Sequence, residues 1–153
     1  MVSPKPVLLS AASGCVWAWI ATTLLGRAMA WPVWGGVLAS PLIGVIAGMF
    51  SMQFRRRRLI AQMFLALVSL YLTAALFGGA VGMTDALFGV NAGPGWHRIP
   101  SAVVAESVLA MLWGLTFTGY VVFLWPLAWV NHTLVARFWH DKPEDALSVP
   151  MLS

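Results

Sequence analysis

The chain has 153 residues, of which 60% are hydrophobic and only 9% charged, and its mean hydropathy is +0.83. Soluble domains carry roughly a quarter charged residues, so this composition cannot clothe a water-facing surface and excludes an ordinary soluble globule. The nine basic residues outnumber the five acidic ones, but they stand between long apolar runs. That placement makes them membrane-orientation signals and removes nucleic acid as a partner.

In chain order, Lys5 precedes an apolar run from Val7 to about Leu25. Its length is that of a membrane span rather than of a signal peptide's core, and no cleavage pattern leading into a polar chain follows it. Gly14, Ala18, Thr22 and Gly26 recur every fourth residue and lie on one face. Cys15 is the only cysteine, so it can form no disulfide within the chain and supplies no thiol pair; it reads as a small buried packing residue. A tight turn, Gly26 to Trp31, carries Arg27.

The second span runs from about Pro32 to Phe54, with Gly36, Ser40, Gly44 and Gly48 on one stripe and Pro41 able to bend it. Arg55, Arg56, Arg57 and Arg58 follow as a tight basic turn. It reads as a stop-transfer signal, with anionic lipid headgroups or an acidic partner as its other use. The third span runs from Leu59 to about Met83 and carries Ala74, Gly78 and Gly82. Thr84 to Pro100, rich in glycine, is the one sizeable loop. The fourth span is expected from Ser101 to about Trp125, with Ala110, Gly114 and Thr118 as its small stripe.

Beyond Pro126, Leu127, Val130, Leu134 and Phe138 recur at helical spacing. They suggest a helix that leaves the membrane and lies along its surface on one apolar face, to about Trp139. Residues 140–153 read as a solvated tail. The expected fold is an all-α bundle of four transmembrane helices forming a single membrane domain. Small-residue stripes should let the helix backbones approach closely.

Orientation follows from the basic residues. Four spans put Lys5, Arg55 to Arg58, Arg137 and Lys142 on one side and only Arg27 and Arg98 on the other. The first side is expected to be cytoplasmic, with both termini in, and a bacterial plasma membrane is the expected location. Trp31, Trp34 and Trp96 would mark one interface, and Trp125, Trp129 and Trp139 the other.

Within the spans only Glu106 is ionisable. It could couple protons or cations in a small oligomeric transporter or channel. The favoured reading is a structural carboxylate near a helix start, paired with Arg98 or Arg27. Asp85, His97 and Arg98 share its side of the membrane, but their spacing is that of an interfacial polar cluster rather than a metal site. His132 and His140 are expected on the cytoplasmic side, outside any haem-binding interior. Trp17, Trp19 and Trp113 are the deep aromatics. No catalytic triad and no phosphate-binding glycine loop is present, so no enzyme is expected.

The polar inventory is sparse and the apolar faces are long. Together they suggest a non-catalytic structural or accessory subunit of a larger membrane complex, with an energy-transducing complex, respiratory or photosynthetic, as one kind of host. Its partners would be lipids and other integral-membrane subunits. No cofactor is expected; a hydrophobic one (quinone, carotenoid or tetrapyrrole) is the alternative such a chain allows.

Overall fold

The computed structural model describes residues 4–24, 34–54, 57–89 and 95–140. It is all-helical, and four of its helices are long and apolar enough to cross a membrane. Helix α1 spans Pro4–Leu24, α2 Trp34–Phe54 and α3 Leu59–Phe88. A 3-10 turn, Trp96–Arg98, leads into α4, Ile99–Leu109, which continues as a π-helix over Ala110–Phe117. Helix α5 spans Val121–His140. Arg27, Arg55, Arg56, the turn at 26–31 and residues 141–153 lie outside the described residues.

These helices carry hydroxyl side chains that would be costly in apolar surroundings if left unpaired. The chain places them where the helix itself satisfies them. Thr22, Thr23, Thr73, Thr84 and Thr133 each donate to a backbone carbonyl three or four residues earlier. Pro41 and Pro126 both lie inside helices that continue through them.

Packing runs in chain order, α1 on α2, α2 on α3 and α3 on α4, and α5 then closes on α2, α3 and α1. Glycine makes the first three contacts possible. A Cβ built on Gly44 would lie 2.7 Å from the Cα of Gly14 and would strike the Ser10 carbonyl. A Cβ on Gly14 would strike the Ser40 carbonyl in return. Gly35 and Gly36 of α2 lie against Ala80, Thr84 and Phe77 of α3. Gly78 and Gly82 of α3 lie against the carbonyls of Glu106 and Ala102 in α4, and a Cβ on Gly78 would be 2.8 Å from the Cβ of Ala110. Ala18, Ser40, Gly48 and Gly114 are buried as well.

Three boundaries differ from the sequence expectation. Helix α3 does not stop near Met83 but adds another turn and a half to Phe88, because Thr84 is satisfied within the helix and Asp85 is buried. It ends at Gly89, whose φ of 68° only glycine adopts readily and whose N–H donates to the Asp85 carbonyl. The helix expected to start at Ser101 instead follows directly from the turn at Trp96.

The third difference is the largest. No continuous helix reaches from Ser101 to Trp125: the run stops at Phe117, and Gly119 turns the chain with a φ of 71°. Helix α5 is therefore separate. Leu127, Val130 and Leu134, the stripe expected to form its one apolar face, are exposed, while Ala128, His132, Val135 and Ala136 are buried against the bundle. The apolar side chains point out and the more polar face points in.

Cys15 is also reversed from expectation: it is exposed, at the edge of the α1–α2 contact, where its Sγ accepts a 3.9 Å hydrogen bond from the Ser40 hydroxyl. Among the deep aromatics only Trp17 turns inward, since Trp19 and Trp113 are exposed. Trp125 and Trp129 are partly buried against the core, and Trp125 donates its indole N–H to the Met63 carbonyl.

The Gly14–Gly44 contact yields a direct test. Gly44→Leu should force α1 and α2 apart and cost about 2 kcal/mol or more, because backbone cannot yield as a side chain can. The loss should be visible as a lowered melting temperature and a lowered yield of monodisperse protein.

Candidate functional site

Helix α5 binds the end of the bundle where α1 begins, α2 ends and α3 begins. Its inward face supplies the interior polar chemistry. His132 is buried, and its Nδ1 lies 2.8 Å from the Ser51 hydroxyl of α2. Its ring packs against Phe54, centroid to centroid 4.9 Å. Asn131, one residue earlier, accepts a 2.9 Å hydrogen bond from Ser13 of α1 through its Oδ1. Two adjacent residues thus tie α5 to two different helices.

His132 was expected on the cytoplasmic side, away from the interior; the structure places it in the bundle. The reason is physical. When the outside of a helix is as apolar as its contacts, the polar face gains most by turning toward hydroxyls on neighbouring helices. Ser13, Ser51, Ser69, Asn131 and His132 were missed in the sequence for that reason. Their signal was small polar residues standing alone within otherwise apolar helical runs.

Beside these pairs is a cavity of about 90 Å³, lined by residues of α1, α2, α3, α5 and the π-helical segment. Trp17, Ile43, Phe77, Leu115 and Leu124 supply most of its apolar wall, and Ser13, Ser69, Asn131 and His132 supply polar groups. The π-helical segment contributes Ala110, Gly114 and Leu115. A π-helix is wider than an α-helix and frequently marks a functional position. Here it is held by Thr116, which donates to the Met111 carbonyl and meets the Tyr71 hydroxyl of α3 at 2.9 Å.

The Glu106 region is elsewhere. Glu106 does not line the cavity. Its backbone carbonyl rests on Gly78, and a Cβ on Gly82 would be 3.0 Å from its Cγ. Gly35 and Gly36 pack beside that same part of α3, so Glu106 is level with the first turn of α2. Of the two arginines expected beside it, Arg27 lies outside the described residues and Arg98 makes no direct ion pair with it. Among the described residues Glu106 makes no ion pair. Arg98 and Asp85 have interactions of their own. His97 is exposed, and among the described residues no three potential metal ligands gather. Arg57 and Arg58 are exposed at the α2–α3 turn.

Comparison with known proteins adds no relative: no family model matches the chain, and no curated protein or solved structure is significantly similar to it.

Two expectations follow. Ser51→Ala and His132→Phe, analysed as a double-mutant cycle by thermal or denaturant unfolding, should show coupling of roughly 0.5–1.5 kcal/mol, the range of interhelical hydrogen bonds. A value near zero would mean that the pair does not hold α5. Glu106→Gln should change stability by no more than a few tenths of a kcal/mol, since among the described residues the carboxylate makes no ion pair to lose. A clear loss of stability would reveal a cationic partner.

Proposed function

We propose that the chain is an integral membrane protein, a four-span bundle with both termini cytoplasmic, acting as a non-catalytic subunit of a larger membrane assembly. The observation that carries the membrane reading is the inverted face of α5. Its Leu127, Val130 and Leu134 are exposed while Asn131 and His132 are tied inward. Water would reverse that choice, and lipid favours it.

The orientation rests on the basic residues together with the position of α5. Lys5, Arg57 and Arg58 stand at the end of the bundle where α1 and α3 begin, and α5 packs at that same end. A chain that finishes there after four crossings keeps both termini on one side, and the excess of basic residues makes that side the cytoplasm of a bacterial cell.

The subunit reading draws support from α4. Helix α4 and its π-helical continuation pack substantially on α3 alone. Val104, Val108, Leu112, Trp113 and Phe117 are exposed along them, with Trp113 and Phe117 in ring contact at 5.7 Å. A helix held by one neighbour, with a broad aliphatic and aromatic face, suits docking by a second membrane subunit. Two interior polar pairs, Ser13–Asn131 and Ser51–His132, join helices, and among the described residues no cluster of metal-binding side chains stands beside that face.

A photo-crosslinking residue at Leu112 should capture a defined membrane partner in cells, and the same residue at Leu38 on α2 should capture lipid. Equal labelling at both sites, or a purified protein with no stoichiometric partner in mild detergent, would remove the subunit reading. A reporter active only outside the cytoplasm, fused to the C-terminus, should be silent. A strong signal would place the C-terminus outside.

A further inference from the structure

The interior cavity has a composition that simple packing does not require. Packed helical interiors close such gaps with larger side chains, because each void forfeits contact energy. This one is kept open by small residues on three helices, Ala47 of α2, Ala74 of α3 and Ala128 of α5. By volume it would hold roughly six to nine water molecules. That is room for a single substituted ring or a short stretch of chain, and far too little for a tetrapyrrole.

Its polar groups are not used up. The Ser69 side chain is 1% exposed, lines the cavity and makes no hydrogen bond to any described residue. Asn131 spends its Oδ1 on Ser13, and its Nδ2 has no described partner. His132 spends Nδ1 on Ser51, and its Nε2 is likewise without one. A buried hydroxyl left unpaired costs free energy, so its retention facing an opening is the mark of a site rather than of packing. The available groups are mainly donors, two amide N–H bonds and a hydroxyl, and they ask for an acceptor oxygen. No charged side chain lines the space, so the ligand is uncharged.

Access comes from the side. Helix α4 stands on α3 without substantial packing against α1, and both α1 and the π-helical segment line the cavity. A ligand dissolved in the bilayer could enter between them without crossing water.

We propose that this cavity binds an uncharged lipid-soluble ring carrying a carbonyl oxygen, of the quinone class, with the carbonyl directed at Ser69, Asn131 and His132 and the ring among Ile43, Phe77 and Leu115. It is independent of whether the chain serves as a subunit of a larger assembly.

The test uses the full chain in lipid nanodiscs, with duroquinone as probe and durene, the same methylated ring without carbonyls, as control. Duroquinone should raise the melting temperature by several degrees and durene by clearly less. Ser69→Ala breaks no hydrogen bond between described residues, and it should weaken duroquinone binding about three- to tenfold while leaving the durene response unchanged. Ala47→Leu and Ala74→Leu fill the space from two different helices. Either variant that retains a cooperative melting transition should lose the response to both compounds.

Equal shifts with duroquinone and durene, or a duroquinone response unaltered by Ser69→Ala, would overturn the carbonyl recognition. A full response in a folded cavity-filled variant would overturn the site itself.

Discussion

The contact between Gly14 and Gly44 is the constraint on which the rest of the bundle depends. Apolar surroundings give two apolar helices no hydrophobic reason to associate, so contact must come from dispersion at close range and from hydrogen bonds. Missing side chains at these two positions let α1 and α2 meet through their backbones. The same device joins α2 to α3 at Gly35 and Gly36, and α3 to α4 at Gly78 and Gly82. These contacts fix where Ser13 and Ser51 stand. Helix α5 then has two hydroxyls at the spacing that Asn131 and His132 need. Close approach by glycine comes first, and the polar pairs are built on it.

Helix α5 shows how far the surroundings decide which face is inside. Read with water as the solvent, its leucine and valine stripe is the buried face. Read with lipid as the solvent, that stripe gains nothing by burial, and the histidine and asparagine gain a hydrogen bond each. Its buried aliphatic residues are small ones, Ala128 and Ala136 beside Val135, which let the helix lie close to α2 and α3. The helix therefore acts as a tie across the end of the bundle, held by specific partners rather than by area.

The number and type of the long helices were legible in the sequence, because runs of apolar residues of that length have few other uses. So were the stripes at Gly36, Ser40, Gly44 and Gly48, which a period of four sets on one face. The break at Gly119 was not legible, since one glycine followed by Tyr120 and two valines looks like the interior of a continuing apolar run. Neither was the extension of α3 through Asp85, because a polar residue after a glycine-rich stretch reads as the start of a loop. The interior polar groups were hidden by the same reasoning that misplaced α5. Glu106 drew attention as the one charge within a span, yet its surroundings are Gly82 and Asp85, and the cavity lies elsewhere.

The length of α3 has a consequence for the bilayer. Its 30 residues make a rod of roughly 45 Å, against a hydrocarbon core of about 30 Å. If α3 crosses a bilayer, tilt alone would have to reach about 48°, beyond the range that spanning helices adopt, so a turn or more of α3 would rise beyond the acyl chains. The end that α4 accompanies carries Asp85, His97, Arg98 and the exposed Trp96, groups suited to the headgroup layer. In a thinner membrane that end would stand further into the headgroups, and in a thicker one the same residues would be drawn toward the acyl chains. In the proposed membrane setting, the depth of that polar end would vary with the thickness of the bilayer around it.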